Sequence, residues 1–415
     1  MAVRHVTVIG AGIIGLTTAW ELHKRGVRVT IVDAHSSAKG ASTINAGWIV
    51  PSMSAPVPTP GVIRQSLRWL LTPDSPLAIR PQLSGDFLRW LLQFARACSA
   101  ARYQRGFEAV AELNRETMRR FDVLRDEGID FEMHQDGVLY AFESVAEMEH
   151  ELRAFEQLQP FGYVVPSPLI GKAVQDREPS LSATVSAAFL AERERSVRPE
   201  TLLTGLTDRL VREGVTIRDS TRVTGFDIAN GRLRAVRLGS ERLETDGAVI
   251  AAGIWSKEVG RMAGARVPLE PGKGYSLDFT VPPFQARGPV YLHDHRVAVT
   301  PFASGVRLAG TMELGQRSAA LNRRRIAAIA AAGKRSFQWA ASDPPYVASA
   351  GMRPMTPDGL PLLGFLPACR DIVLASGHAM LGVTLAPVTG AVVADLLTQG
   401  TTSLPIAPFT PDRFR

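Results

Sequence analysis

Three glycines and one aspartate near the start of the chain have the types and spacing to hold a dinucleotide. The apolar run from Val6 to Ile9 leads straight into Gly10, Ala11, Gly12, Ile13, Ile14 and Gly15. Gly10 permits a tight strand-to-helix turn, Gly12 lets the backbone approach a pyrophosphate, and Gly15 allows helix to lie close on strand. The N–H groups at that helix start then face the diphosphate. A second apolar run, Val27 to Val32, ends at Asp33 and Ala34. The Asp33 carboxylate can take both ribose hydroxyls and would repel a 2′-phosphate. Strand, helix, strand and acid in this order separate the motif from an inconsequential glycine-rich turn. By themselves these residues fit a nicotinamide dinucleotide as well as a flavin one.

The elements that must position this turn recur along the chain. A helix is expected over 14–25, stopped by Gly26, and an ordered loop over 40–51 with prolines at 56, 58 and 60 beyond it. Helical patterns dominate 62–158, with a strand-like stretch at 137–142. A further helix starts at Pro199 and stops at Gly214. The segments 215–217, 221–225 and 247–256 then repeat the nucleotide-domain pattern, the last a buried strand running into a turn with Ala252, Gly253 and Trp255 that suits close approach of a large cofactor. Short strands at 275–281, 297–302 and 306–310 predict a largely antiparallel sheet. An alanine- and arginine-rich helix follows, then the 351–359 segment, a strand at 372–375 and a helix at 387–398. Nucleotide-binding pieces at the start, middle and end imply discontinuous domains: 1–56, 186–268 and 347–415 for the cofactor, 57–185 and 269–346 for the substrate. The fold class expected is α/β, a Rossmann-like domain interleaved with an α+β, antiparallel-sheet substrate domain.

Bulk properties narrow the class further. A chain of 415 residues with 45% hydrophobic content suits two interlocked globular domains. The net charge of +7 comes mostly from arginines spread along helices, which reads as a solvated basic face and argues against nucleic acid. Cys98 and Cys369 show no metal-ligand or disulfide spacing, so no metal is expected. No charged-then-apolar leader precedes the first strand and no apolar run reaches the ~18 residues of a membrane span. The location expected is cytoplasmic. Segments 63–71 and 87–94 mix Trp, Leu and Arg at helical spacing, which fits packing helices of the second domain or a peripheral contact with the inner membrane.

Five spaced segments carry a family resemblance: Ser42 to Pro51 with Asn45, Ala46 and Gly47; Pro58 to Gly61; Lys273 to Leu277; Gly351 to Gly359; and Gly377 to Thr384. Together they resemble the FAD-dependent D-amino-acid oxidase and glycine oxidase superfamily, above all its bacterial D-amino-acid dehydrogenase branch. The resemblance implies FAD, with Asp33 on the ribose, the glycine turn on the pyrophosphate and Val223 against adenine through its backbone. It places Ser42, Asn45, Ala46 and Gly47, with Gly377, His378, Leu381, Gly382, Val383 and Thr384, around the phosphates and the isoalloxazine ring. His378 and Thr384 are candidates beside the ring's N1/O2 side. Relatives with covalent flavin use a cysteine near the position of Arg353, so noncovalent FAD is expected here.

The same resemblance makes Arg353 the ligand of a substrate carboxylate, and the chemistry agrees, since a planar guanidinium meets two carboxylate oxygens at once and stays charged when buried. A structural interdomain arginine is the plainer alternative; flanking Gly351 and Pro354 suggest a rigid loop. Tyr275 is expected to donate its hydroxyl to the same carboxylate or to be a satisfied core tyrosine. His295 and Met312 are pocket candidates by similarity to a glycine-oxidase stretch. Val297 stands where glycine oxidases use a tyrosine, which argues against glycine as substrate. The reaction implied is hydride transfer from Cα to flavin N5, giving an imino acid and then a 2-oxo acid and ammonia, with electrons passed to a quinone or another carrier. Trp48 to Pro51 and Leu385 to Pro387 are similar to enzymes acting on D-proline or 4-hydroxy-D-proline. A sarcosine-type amine oxidase, or an FAD subunit of a heteromeric electron-transfer complex, are the alternatives.

Overall fold

The strand His5–Ile9 is buried along its whole length between parallel neighbours Arg28–Val32 and Gly247–Ile250, which is why its β-branched side chains show no polar alternation. The computed structural model describes residues 3–35, 40–61, 77–79, 82, 84–316 and 318–414. In full, the first sheet runs Thr216–Arg218, Arg28–Val32, His5–Ile9, Gly247–Ile250, Cys369–Ser376 and Leu362–Leu366. Only the last strand is antiparallel. Helix Ile13–Lys24 covers one face and stops ahead of Gly26, whose φ of 75° is the left-handed conformation that ends it. Against it lies helix Ala386–Gln399. The two approach so closely that a Cβ on Gly390 would stand 2.7 Å from the Thr17 carbonyl carbon, and the Thr17 hydroxyl donates to the Ala386 carbonyl at 2.9 Å.

The second large sheet has nine strands, eight in the order Val347–Met355, Glu270–Phe279, Gly305–Leu314, Val297–Phe302, Val290–Leu292, Val138–Phe142, Ala187–Ala191 and Pro168–Ile170. The ninth, Leu77–Ile79, runs parallel beside 312–314, and Val290–Leu292 is parallel to Val138–Phe142; the other pairs are antiparallel. Helix Arg323–Ser336 seals one face with Ile326 and Ile329. A small sheet of Trp48–Ile49, Arg195–Val197 and Met133–His134 ties the two halves together.

Two details shift the expected boundaries. Segments 186–191 and 347–355 open with strands of the nine-stranded sheet, because each continues a ladder that composition alone does not reveal. Arg353 therefore sits on a strand, where a rigid loop was expected. Pro354 fits there because this strand is the sheet's edge and one side of its backbone needs no ladder partner. Segment 63–71 lies outside the described residues. Segment 87–94 lies within helix Gly85–Ala97, which buries Phe87 and Trp90, the Trp90 indole donating to the Met355 carbonyl at 3.2 Å, while Leu88 and Leu92 stay 55% and 62% exposed. Among the described residues no helix is long and apolar enough to cross a membrane, and no group of three or more His, Cys, Asp or Glu could hold a metal.

Candidate active site

Each glycine of the opening turn has a distinct steric reason. Gly10 adopts φ 111° and a Cβ there would stand 2.5 Å from the Ala251 carbonyl oxygen; one on Gly15 would stand 1.9 Å from the Gly10 carbonyl oxygen. Gly12 faces the cleft instead. Among the described residues its missing Cβ would meet only the Ser42 hydroxyl, at 3.1 Å, so a ligand can reach the backbone between them. The helix that starts here carries no acidic residue in its first turn, and its N-cap, Gly12, has no side chain to satisfy the exposed N–H groups, so its positive end is open to an anion. Ser42 accepts from the Ile13 N–H at 3.1 Å. Asp33 accepts from the backbone N–H groups of Ala11 at 2.7 Å and His35 at 2.8 Å, which fixes its carboxylate at the strand end.

Most of these groups line one cleft. Gly10, Gly12, Ile13 and Ile14 form its floor, with Asp33, Ala34 and Val223 beside them. Ala252, Gly253 and Trp255 line it as well, and the Trp255 and His35 rings lie 5.2 Å apart, so Trp255 marks the Asp33 end. Ser42 and Asn45 line the loop side; Gly382, Val383, His378 and Arg353 complete the wall. A glycine cradle that a Cβ would fill, an uncapped helix start and a fixed carboxylate at the strand end suit the diphosphate and ribose of FAD.

The expected residues also brace the cleft, Asn45 and His378 while lining it and the others from behind its wall. Ala11 holds Asp33, and Gly15 packs on Gly10. Asn45 braces its own loop, donating to the carbonyls of Ala41 and Ser42 and accepting from the Gly47 N–H at 2.8 Å. Gly47 has φ 73° and lies so close to the Val197 carbonyl that a Cβ would stand 2.1 Å away; the Ala46 carbonyl accepts from Thr300. Gly377, with φ 79°, turns the chain under Thr356, and Leu381 packs into the core. Thr384 accepts from the Val50 N–H at 3.1 Å and donates to the Trp48 carbonyl at 3.2 Å. It fastens the loop and makes no wall. His378 shares a hydrogen bond of 3.0 Å with Thr389, and burial drops its pKa to about 3, so the imidazole is neutral.

Arg353 is the chemically exposed member of the set. It keeps some surface open to the cleft, yet its surroundings strip water from the guanidinium and lower its pKa to about 10, with burial the sole cause. It donates one hydrogen bond, from Nη1 to the Thr311 carbonyl at 3.1 Å. No carboxylate among the described residues pairs with it. The contrast is Arg307, buried away from solvent, which is bonded to Asp278 at 2.7 Å, to Glu200, and to the carbonyls of Thr43 and Asn45 at 3.0 Å. Arg307 is a structural clamp for the 40–47 loop; Arg353 is a buried cation with donors to spare.

The remaining three candidates are placed elsewhere. Tyr275 is buried on the face of its strand opposite Gly274, and its hydroxyl donates to Glu313, which also accepts from Asn322 at 3.1 Å. Strand alternation separates Tyr275 from Arg353, whose guanidinium lies against Gly274. His295 sits in a turn 3.0 Å from Glu143, an acid held down at about 2 chiefly by its hydrogen bond from Arg335, and does not reach the cleft. Met312 packs with Trp90, Leu314 and Met355 behind the site. Ile44, inside the 42–47 stretch expected around the cofactor, lines the cleft, as do Met352 and Pro354, which were not singled out although they flank Arg353 in the 351–359 segment.

Comparison with known proteins agrees with this geometry. The chain is 31% identical over 413 residues to the D-amino acid dehydrogenase of Phenylobacterium zucineum (strain HLK1), covering 97% of this chain and 96% of that one. It is 30% identical over 419 residues to the D-amino-acid oxidase of Bradyrhizobium diazoefficiens, covering 99% of each. Glycine oxidase from Geobacillus kaustophilus has the same fold, with TM-score 0.75 at 20% identity over 98% of both chains. L-proline dehydrogenase from P. horikoshii does too, with TM-score 0.73 at 21% identity over 100% of this chain and 98% of that one. The family model DAO, FAD dependent oxidoreductase, matches residues 5–396, and the chain belongs to that family of FAD-dependent enzymes.

Proposed function

We propose that the protein oxidises D-amino acids at Cα, with Arg353 holding the substrate carboxylate. The observation that carries this reading is a desolvated guanidinium, without a described acidic partner, in the same cleft as the dinucleotide turn. FAD, when bound noncovalently, supplies the acceptor for the hydride that leaves Cα. The chain's own groups orient and dry the reactants. Arg353 meets both carboxylate oxygens with parallel N–H donors, and Met352, Pro354 and Ile44 present apolar atoms that keep water out. The neutral His378 contributes no charge. Loss of hydride leaves an imino acid, which water hydrolyses to a 2-oxo acid and ammonia or which stays cyclic for a proline-type substrate.

The preference for D over L enantiomers rests on relatives named for D-amino acids at 31% and 30% identity. A refinement toward D-proline or 4-hydroxy-D-proline rests on the sequences at 48–51 and 385–387. Transfer of electrons to a quinone or similar carrier at a membrane surface is supported by Leu88 and Leu92, exposed on a helix that also exposes Arg89 and Arg96. The test is anaerobic bleaching of the bound flavin by a panel of D- and L-amino acids, both proline enantiomers and N-methyl amines. Bleaching by D-amino acids with 2-oxo acid or cyclic imine as product is expected; bleaching only by N-methyl amines, with formaldehyde released, refutes the proposal.

A further inference from the structure

The ladder between Glu270–Phe279 and Gly305–Leu314 carries an irregularity directly beside Arg353. Tyr275 pairs with Gly310 and Lys273 with Glu313, so Thr311 and Met312 together oppose Gly274. This is a two-against-one bulge. Thr311 takes φ 61°, a conformation that a β-branched residue rarely adopts, and its hydroxyl is buried without a hydrogen-bond partner. What the twist accomplishes is to deliver the Thr311 carbonyl to Arg353 Nη1 at 3.1 Å. Across the ladder, Gly274 is not in the left-handed region, so backbone conformation does not demand a glycine there. Space does: a Cβ would lie 2.3, 2.5 and 2.6 Å from Nη1, Nη2 and Cζ of Arg353, so the guanidinium rests on the bare Gly274 backbone.

We propose that Gly274 and the Thr311 bulge form a seat for the Arg353 guanidinium, one supporting its face and the other tethering one edge, and that this seat sets affinity for the substrate carboxylate. The inference rests on the reading of Arg353 as the carboxylate ligand. Both are positioning residues: neither needs to touch substrate. Strain at Thr311 is retained because straightening the strand would withdraw the carbonyl and leave the cation with no fixed donor direction.

The experiment uses FAD-loaded full-length protein, titrated with propanoate as a non-oxidisable carboxylate and followed by flavin absorbance, alongside steady-state kinetics. Gly274→Ala is expected to raise the propanoate Kd and the amino-acid KM by roughly tenfold or more, a 1.4 kcal/mol effect or larger, with kcat and FAD content little changed. Gly333→Ala crowds the other face of the same sheet, where a Cβ would meet Leu308 and Trp339 at 2.7 Å, and should lower Tm without moving Kd. Thr311→Gly keeps the carbonyl and relieves the backbone, so Tm should rise and Kd stay put. In an Arg353→Lys background, which has no planar group to displace, Gly274→Ala should add nothing to Kd. An unchanged Kd in Gly274→Ala, an equal rise in Gly333→Ala, or a full additive rise in the lysine background overturns the seat. If Arg353→Ala itself leaves Kd unchanged, the carboxylate reading fails instead.

Discussion

Replacing Arg353 with methionine should make the free protein more stable while disabling it. Burial alone lowers the guanidinium pKa to about 10, so the folded state holds this cation at a disadvantage. That depression corresponds to roughly 3 kcal/mol, an upper bound for a side chain that keeps some contact with the cleft. The sign follows from the charge: a cation with a depressed folded-state pKa carries its full penalty below pH 10 and sheds it as pH rises through 10 towards the unfolded chain's higher value. At neutral pH the Met variant loses that penalty. It also loses the bond to the Thr311 carbonyl, worth about 1 kcal/mol, and leaves that carbonyl short of a donor. A net gain of about 1 kcal/mol remains, a rise in Tm of roughly 2 °C for a chain of this size. Carboxylate binding moves the other way. Two charge-assisted hydrogen bonds at about 1.5–3 kcal/mol each set a loss of roughly 10² to 10⁴ in affinity. Thermal melts of FAD-loaded wild type and variant, with and without propanoate, read both effects, since a ligand that binds only the folded state raises Tm. Wild type should gain stability from propanoate and the variant should not. A variant several degrees less stable than wild type, or one still stabilised by propanoate, refutes the idea of an unpaired cation waiting for its anion.

Three other perturbations test separate parts of the structure. Glu194, wholly buried and bonded to the Ser52 N–H at 3.1 Å, is pushed by burial to about 8; the folded state therefore keeps a proton that the unfolded chain releases, and stability falls as pH rises from 4.5 to about 8. Glu194→Gln should erase that slope and exceed wild type by a few kcal/mol above pH 8, and parallel pH profiles in urea melts would count against it. Gly15→Ala drives a Cβ to 1.9 Å from the Gly10 carbonyl oxygen, so the purified variant should be colourless; a full complement of flavin by absorbance would contradict the turn's assignment. Tyr275→Phe deprives the buried Glu313 of a donor and should cost about 1–2 kcal/mol in a denaturant melt with KM unaltered, whereas a large rise in KM would return Tyr275 to the substrate site.

What could be read from the sequence divides along a physical line. The opening turn was legible because its demands are set largely by the strand, turn and helix themselves: Gly10 must take φ 111° and Gly15 must pack on the Gly10 carbonyl. The strand at 297–302 and the helix ending before Gly26 were legible for the same local reason. Tyr275 shows where spacing stops: the motif 273–277 marks the right strand and leaves a carboxylate donor and a satisfied core tyrosine both open, and the ladder puts Gly274 against Arg353 with Tyr275 on the opposite face. That parity is fixed by the regular ladder between Glu270–Phe279 and Val347–Met355, which pairs Gly272 with Arg353 and Gly274 with Gly351 and has no signature in either segment alone. The strand Val347–Met355 was hidden because Gly351 and Pro354 are loop formers in isolation. At a sheet edge, where one glycine admits a crossing loop and the proline needs no ladder donor, they are strand residues.

That edge strand joins two sites which the sequence presents as remote. Gly351 and Arg353 lie two residues apart on the same face. A Cβ on Gly351 would meet Ile44 at 3.2 Å and the Ala41 Cα at 3.5 Å, and the loop they belong to carries Ser42, which holds the Ile13 N–H at the start of the dinucleotide helix. The strand that aims the carboxylate ligand is thus also the support of the loop that roofs the phosphate turn. Gly351→Ala should therefore lift that loop by a few tenths of an ångström and weaken FAD and propanoate together, each Kd rising by about threefold to tenfold. Gly274→Ala, whose nearest clash is with the guanidinium, should weaken propanoate alone. FAD affinity, measured by fluorescence recovery on titrating the apoprotein, separates the two: an effect of Gly351→Ala confined to propanoate would mean that loop and strand move independently, and that the cofactor and substrate sites share a cleft without sharing a support.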